Sequence, residues 1–300
     1  MTLDMFAMQA FTGLSIFTIL MLMALGLAIV FGLMGVINMA HGELMAMGAY
    51  TSYGTAYFFQ RFLPEWMDAY IFVGIALAFV VTSIFGYALE RGLIRFLYQR
   101  PLDTLLATWG ISLILQQCYR QFINPREVEV PTVSWLQGAW KVTEGVSLPL
   151  SRIFIICLAI VTAVLIYLLL YRTRSGILIR AVTQNRSMAG AAGINTKRVD
   201  AYTFALGCGL AGIAGSSFTM LASTGPTTGQ QYIVDTFIVV VFGGVESLIG
   251  TAASAFIIGQ LQSWFEFGMS GSMARASILV LVIAVLYFRP NGLFASKVRR

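Results

Sequence analysis

Long apolar runs separated by short polar segments dominate the pattern of the chain. A helix that crosses a bilayer needs about 20 mostly apolar residues, so each such run predicts a membrane-spanning helix. The runs that meet or approach this length are 11–35, 70–90, 151–171, 201–222 and 273–289. Shorter or more polar candidates fill the gaps at 44–62, 102–123, 232–245 and 250–267. The pattern predicts an all-α, polytopic membrane protein with about eight or nine transmembrane helices in one domain over 1–300.

Composition supports this class, because 58% of the residues are hydrophobic and only 11% are charged. The first 35 residues lack the basic segment and cleavage site of a secretory signal, so we expect the first run to be a true span. Three scattered cysteines, Cys118, Cys157 and Cys208, have neither paired spacing nor metal-ligand spacing. No metal site is therefore predicted.

The distribution of charge predicts orientation. In a soluble protein, a net charge of +6 would suggest a nucleic acid partner. Here Lys and Arg are concentrated in particular connections between the spans, so we expect no nucleic acid partner. The basic connections hold Arg91, Arg95 and Arg100, then 172–198, then a tail with Arg289, Lys297, Arg299 and Arg300. The acidic connections, 63–69 and 124–150, hold Glu65, Asp68, Glu127, Glu129 and Glu144. Because basic loops stay inside, we predict an external N-terminus and a cytoplasmic C-terminus.

The only histidine lies in an interruption of the first half, "GVINMAHGELMAMGAY" at 35–50. Glycines break the helical pattern there, and Asn38, His41 and Glu43 follow. Non-helical backbone at membrane depth survives only where protein or a water-filled cavity satisfies it, and intramembrane ionisable groups indicate function by default. We predict that these three residues border or brace a pathway. The alternative, a solvated cytoplasmic turn on which they only cap helices, stays open.

A second interruption, "GPTTGQQYIVDTFIVVVFGGVESLIGT" at 225–251, contains an apolar run of about 14 residues, too short for a straight span. Paired, glycine-interrupted short segments in the two halves of a transporter point to its central pathway. Gln230 and Asp235 are therefore further pathway candidates. Asp235 could instead cap a broken helix on the external side.

The connection 172–200, "RTRSGILIRAVTQNRSMAGAAGINTKRVD", has helix signals of its own. Ser175 can cap an N-terminus and Gly193 fits a left-handed stop, which predicts one short amphipathic cytoplasmic helix. Basic residues favour contact with anionic lipid headgroups, whereas the small residues 189–192 favour close packing against a protein.

Three segments in order, "INMAHGELMAMGAY", "AVTQNRSMAGAAGINTKRV" and "VVVFGGVESLIGT", resemble the branched-chain amino acid permease family of ABC importers over nearly the full chain. Within that family, "LASTGPTTGQQYIVDTFIVVVFGGV" is most similar to the urea-transport branch. The resemblance implies a permease in a bacterial inner membrane that moves urea, or a related small polar solute, by ATP-driven alternating access. The alternative function is a permease that imports branched-chain amino acids. A passive urea channel is a third, less favoured function.

The resemblance also implies partners. The chain has no G-x-x-x-x-G-K-[ST] phosphate loop, so ATP and Mg would be used by two cytoplasmic ATPase subunits, with no cofactor on this chain. Residues 177–194 are similar to a coupling helix that receives their motion. The coupling candidates are Arg186, Met188, Ala189, Ala192, Gly193 and Ile194. A second homologous permease chain, an external substrate-binding protein at 124–150 and membrane lipid complete the expected assembly.

An enzyme is not expected. No H-E-x-x-H or G-x-S-x-G segment surrounds His41, so no base and nucleophile can be paired from their spacing. No catalytic residue is predicted, and the function is expected to be transport.

Overall fold

The computed structural model describes residues 3–98, 100–143 and 146–294. Glu144 and the tail residues Lys297, Arg299 and Arg300, which contributed to the charge pattern, lie outside these ranges. In the described ranges the chain forms eleven α-helices and one antiparallel hairpin. The helices are α1 (Leu3–Leu27), α2 (His41–Phe62), α3 (Tyr70–Gly92), α4 (Pro101–Phe122), α5 (Leu150–Arg172), α6 (Arg174–Gln184), α7 (Arg186–Ala191), α8 (Thr196–Phe218), α9 (Thr228–Gly243), α10 (Leu248–Gly268) and α11 (Gly271–Phe288).

The predicted all-α, polytopic class is confirmed. Among the described residues, five helical segments are long and apolar enough to cross a membrane. They are Asp4–Leu33, Pro64–Phe96, Leu150–Arg172, Thr196–Phe218 and Gly271–Phe288, and each contains most of one of the five longest predicted runs. The four shorter or more polar candidates coincide with α2, α4, α9 and α10. Of these four helices, α9 has only 16 residues, and α2, α4 and α10 bury polar side chains.

The core forms around α8, whose small residues allow three neighbours to approach. Gly207 lies against the carbonyl of Gly26 in α1, and Gly215 lies against the carbonyl of Met45 in α2. A side chain at either glycine would meet backbone, so bulkier residues would push the helices apart. The small residues of this helix therefore have a structural role, because they set how closely the neighbouring helices approach. The described faces of α3, α5 and α11 that point away from this core are mostly exposed and apolar, as a lipid-facing surface requires.

The connections gather at two opposite ends of the helices. At the end that we name the basic end, the 173–195 connection contacts the 93–98 connection, where the Arg186 guanidinium lies 4.9 Å from the ring centre of Tyr98. At the acidic end, the Ser134 backbone N–H donates to the Asp68 carboxylate at 2.8 Å, joining the 63–69 and 123–149 connections. This partition matches the one that the charges predict. The orientation in the membrane remains a prediction.

Orientation can be measured by thiol labelling of intact cells on a cysteine-free background. A cysteine at Gln137, exposed on the acidic end, is expected to react with an impermeant maleimide from outside. A cysteine at Gln184, exposed on the basic end, is expected to react only after the cells are opened. The opposite pattern of labelling would overturn the predicted topology.

The acidic end also carries a hairpin that the apolar pattern did not predict, formed by β1 (Ala139–Thr143) and β2 (Val146–Pro149). The connection is fixed by Trp135, whose ring stacks on Phe72 at 5.8 Å and whose indole N–H donates to the Asp68 carbonyl at 3.2 Å. Trp140 in β1 is 65% exposed instead. Trp135 is thus held against this chain, whereas Trp140 presents most of its side chain outward.

Candidate functional site

The chain returns into the interior between α1 and α2. After α1 the helix continues as a π-helix, Ala28–Leu33, and the backbone is then non-helical until His41. Gly32 contacts the Val245 carbonyl at the basic end. The His41 Nε2 atom lies 3.2 Å from the carbonyl oxygen of Met23, which precedes Gly32 by nine residues in the same helical segment. At 1.5 Å per helical residue, α2 therefore begins about 13 Å inside the helical body. The break predicted at 35–50 is confirmed.

The second interrupted segment meets the first one. Gly42 at the start of α2 and Gly229 at the start of α9 touch, and a Cβ atom on either glycine would collide with the carbonyl of the other. Only glycine permits two backbones to approach this closely. The N-termini of α2 and α9 therefore cross at one depth in the interior.

Beside this crossing lies a group of polar side chains that we name the Glu43 cluster: Glu43, Ser112, Gln116, Tyr119 and Gln230. The Glu43 Oε1 atom accepts hydrogen bonds from Gln116 Nε2 at 2.8 Å and from Ser112 Oγ at 3.2 Å. The Tyr119 hydroxyl donates to the Glu43 carbonyl at 2.8 Å, and Gln116 Nε2 reaches Gln230 Oε1 at 3.5 Å. Polar groups from α2, α4 and α9 thus form one connected network.

The other two predicted residues hold the break itself. The Asn38 side-chain oxygen accepts from the Ala40 backbone N–H at 3.1 Å, and His41 contacts the Met23 carbonyl as described above. Asn38, His41 and Glu43 all have 0% exposed surface. The alternative of a solvated cytoplasmic turn is therefore wrong, because such a turn would leave these side chains in water.

Several buried polar atoms near the crossing have no hydrogen-bond partner among the described residues. They are Asn38 Nδ2, His41 Nδ1, Glu43 Oε2, Tyr50 Oη and Thr224 Oγ1. A buried polar atom without a partner costs about 1–3 kcal/mol, so proteins rarely leave several together. The region therefore offers unused hydrogen-bonding capacity to a polar guest.

A contact between two connections covers the acidic end of this region. Val128 and Thr224 exchange two backbone hydrogen bonds, both of 2.9 Å, and the Ser223 hydroxyl donates to the Glu127 carboxylate. Val128 packs in one apolar group with Tyr50 and Tyr119, so the contact lies beside Tyr119, whose hydroxyl donates to the Glu43 carbonyl. We name the Val128–Thr224 pairing the acidic-end bridge.

Asp235 does not join the Glu43 cluster. Its carboxylate lies 3.8 Å from the Arg275 Nε atom of α11. Arg275 lines a separate cavity of about 250 Å³ together with Arg152, Glu266 and Gln262. The alternative of a helix cap is wrong, because Asp235 is in the interior of α9 rather than at its start.

The polar residues of α4 were missed, although the sequence carries a signal for them. Thr104, Thr108, Ser112 and Gln116 recur every four residues, which places them on one face of a helix, and all four are buried. Thr108 also accepts the Met39 backbone N–H at 3.1 Å and so supports the break. A polar stripe within an apolar run indicates a helix that faces protein or a polar route.

The predicted coupling segment forms two helices instead of one. Asn185 separates α6 from α7 and caps the latter, since its side-chain oxygen accepts from the Met188 N–H at 3.0 Å. The cap of α6 is Thr173, which accepts from the Gly176 N–H, so the prediction of Ser175 is wrong by two residues. Gly193 has φ +85°, and the predicted left-handed stop is confirmed.

The coupling candidates divide by exposure. Met188 is 67% exposed and Ala192 is also exposed, whereas Ala189 is 5% exposed and packs within this chain. The half-buried Ile194 donates its N–H to the Ala189 carbonyl at 3.1 Å, and the exposed Gly193 lies between Ala192 and Ile194. Met188, Ala192, Gly193 and Arg186 are exposed and could be contacted directly by a partner, although Arg186 also pairs with Asp200.

Arg186 holds α7 on the helical body. Its guanidinium lies 2.6 Å from the Asp200 carboxylate and covers the Tyr98 ring, whose hydroxyl donates to Glu90 at 2.9 Å. Burial, and then the negative charge of Glu90, raise the pKa of Tyr98 well above its ordinary value, so this hydroxyl keeps its proton. Arg186 therefore links α7 to the ends of α3 and α8.

Replacing Ala192 with glutamate is expected to lower solute uptake about tenfold or more, while ATP hydrolysis by the assembled importer continues. A bulky charge at this exposed position would disturb a close contact with an ATPase subunit without a clash inside this chain. Uptake and ATP hydrolysis are measured in the same proteoliposomes. Ala192→Ser, which adds little volume and no charge at the same position, is the matched control, and normal coupled uptake by Ala192→Glu would exclude a docking role for this position.

Long apolar helices, with polar groups buried where two of them begin, are the architecture of a multi-pass membrane permease. The chain belongs to the family described as "Branched-chain amino acid transport system / permease component", which matches residues 9–286.

Two permeases of branched-chain amino acid transport systems are similar to this chain over almost its whole length. The high-affinity branched-chain amino acid transport system permease protein LivH of Escherichia coli strain K12 is 28% identical, over 96% of this chain and 95% of the relative. The corresponding protein BraD of Pseudomonas aeruginosa is 27% identical, over 95% and 94%. The ribose import permease protein RbsC of Bacillus subtilis is 30% identical over only 43% of each chain. No solved structure matches.

Proposed function

We propose that this chain is the transmembrane permease subunit of an ABC importer and that the crossing of α2 and α9 borders its solute route. The family membership supports the transport role. The observation that carries the location is the burial of the Glu43 cluster together with five unpartnered polar atoms around it. Polar groups are costly in a membrane interior, and a route for a polar solute is the use that offsets this cost.

Branched-chain amino acids are the substrate class that the names of the relatives favour. The geometry offers a place for both charges of such a solute. The N-termini of α2 and α9, which carry partial positive charge, meet at the crossing and suit an α-carboxylate. The Glu43 carboxylate beside them suits an α-ammonium group.

Urea is the second candidate, and a different observation favours it. The Glu43 cluster consists of amide, hydroxyl and carboxylate groups and contains no cationic side chain. Such a set matches a small neutral amide, which needs both donors and acceptors but no full countercharge. The likeness of the segment 221–245 to the urea-transport branch points the same way.

The proposed assembly follows from the two ends of the molecule. Two cytoplasmic ATPase subunits, which bind ATP and Mg, dock on α6 and α7 at the basic end. A second, homologous permease chain completes the route, and an external substrate-binding protein docks on the connections of the acidic end. Nucleotide-driven motion at α7 reaches the helical body through Arg186 and Asp200.

The deciding experiment is uptake by the complete importer in proteoliposomes, with labelled leucine and labelled urea measured in parallel. ATP-dependent uptake of leucine alone would establish the first candidate, and ATP-dependent uptake of urea alone the second. A complex whose ATPase subunits cannot hydrolyse nucleotide is the control. Equal uptake by that control would contradict the importer proposal and establish a passive channel.

A further inference from the structure

A strongly basic cavity lies at the basic end, away from the Glu43 cluster. The last turn of α3, the short 3₁₀ turn Ile94–Phe96 and the first turn of α8 enclose about 210 Å³. Its walls are Glu90, Arg91, Arg95, Asn195, Lys197 and Arg198. Four cations and one carboxylate therefore line a space large enough for a phosphate group.

The cations of this cavity form no ion pair with the residues that the structure describes. In the described ranges, none of the four has a carboxylate oxygen within 4.0 Å, and all four are exposed. The one carboxylate, Glu90, is 2% exposed and accepts the Tyr98 hydroxyl. The N-terminus of the 23-residue α8, with Asn195 as its cap, adds partial positive charge to the same wall. The cavity is therefore built for an anion.

An apolar surface continues from the cavity along the outside of α3. The Arg91 guanidinium lies 4.7 Å from the ring centre of Tyr87, and Tyr87 packs on Tyr202 of α8 at 5.6 Å. Beyond these rings, Ile84 is 64% exposed and Val80 is 46% exposed on the same face of α3. Aromatic rings between a charged end and an apolar stripe are typical of the membrane–water interface.

We propose that this cavity binds the phosphate headgroup of an anionic phospholipid, whose acyl chains lie on the Tyr87 and Ile84 face of α3. The charges select a negative headgroup, and the apolar stripe selects a ligand with a hydrocarbon tail rather than a soluble phosphate. Basic pockets between transmembrane helices are a recurring form of lipid recognition. The bound lipid would join the ends of α3 and α8, which also carry the partners of Arg186.

The test uses the full chain purified in detergent and measures bound lipid by native mass spectrometry. Phosphatidylglycerol and phosphatidylcholine with identical acyl chains are added separately. We expect the chain to retain phosphatidylglycerol preferentially. The double variant Lys197→Gln, Arg198→Gln is expected to bind it about 25-fold more weakly, at about fivefold per cation removed near a membrane surface.

The matched control is Arg172→Gln, Arg174→Gln, which removes two exposed cations from the same end outside the cavity. This control is expected to retain phosphatidylglycerol like the unmodified chain. Equal weakening by both double variants would overturn the site, because it would show a general effect of charge. If equimolar glycerol phosphate displaces the lipid, the cavity is a site for soluble anions. If the chain forms a dimer through this face and the dimer binds no lipid, the face is a protein interface. Either result would also overturn the proposal.

Discussion

Replacing Glu43 with alanine is expected to reduce uptake about tenfold or more at matched membrane abundance. The change removes the acceptor of Gln116 and Ser112, and both groups would remain buried without this partner. Each buried group left unpaired costs about 1–3 kcal/mol, and about 1.4 kcal/mol corresponds to a factor of ten in rate. The expected loss therefore follows from disruption of the network that holds the start of α2.

Glu43→Gln separates the loss of the network from the loss of charge. The amide oxygen still accepts from Gln116 and Ser112, so only the extra strength of a charged hydrogen bond disappears. That difference is about 1 kcal/mol, so we expect uptake to fall about fivefold, less than in the alanine variant. Near-normal uptake by Glu43→Ala would reject the bracing role. A loss with glutamine as large as the loss with alanine would show that the charge itself is required.

A disulfide across the acidic-end bridge is expected to abolish uptake almost completely. Val128 and Thr224 exchange both backbone hydrogen bonds, and such pairs have Cα atoms about 5.5 Å apart, within the range that a disulfide spans. If a solute enters from the acidic end, the two connections must separate. Oxidation of Val128→Cys, Thr224→Cys would hold them together. Uptake is measured before and after oxidation in proteoliposomes with the binding protein on the acidic side.

The controls use a background without Cys118, Cys157 and Cys208, which are free thiols. Each single-cysteine variant is expected to keep its uptake after oxidation, and dithiothreitol is expected to restore uptake to the double variant. Full uptake by the oxidised double variant, with the cross-link verified by mass spectrometry, would show that solute enters without opening of this bridge.

Most of the helices could be predicted because the length of an apolar run has a direct physical meaning in a bilayer. The breaks at 35–50 and 225–251 could also be predicted, since glycines and ionisable groups interrupt an otherwise apolar pattern there. The partners of Glu43 were missed for a related reason. The polar residues of α4 weakened its apolar signal, so the segment was predicted only as a more polar span. Their spacing of four residues nevertheless places Ser112 and Gln116 on one face of the helix.

Other features depend on contacts that local patterns do not contain. Asp235 pairs with Arg275 because α9 and α11 are neighbours, and nothing in either segment specifies that packing. The division of the coupling segment into α6 and α7 depends on which of several possible caps the backbone uses. The backbone uses Thr173 to cap α6 and Asn185 to cap α7, and Ser175 lies within α6.

The crossing of Gly42 and Gly229 has a mechanical consequence. No side chain separates the two backbones at this point. The helices can therefore rotate relative to each other about the contact, but they cannot move closer together. α9 extends 14 residues beyond Gly229, to Gly243 at the basic end, which corresponds to a lever arm of about 21 Å. A rotation of about 10° at the crossing would therefore displace the far end of α9 by about 4 Å. The contact of Gly42 with Gly229 thus converts small angular changes in the interior into larger displacements at the basic end of α9.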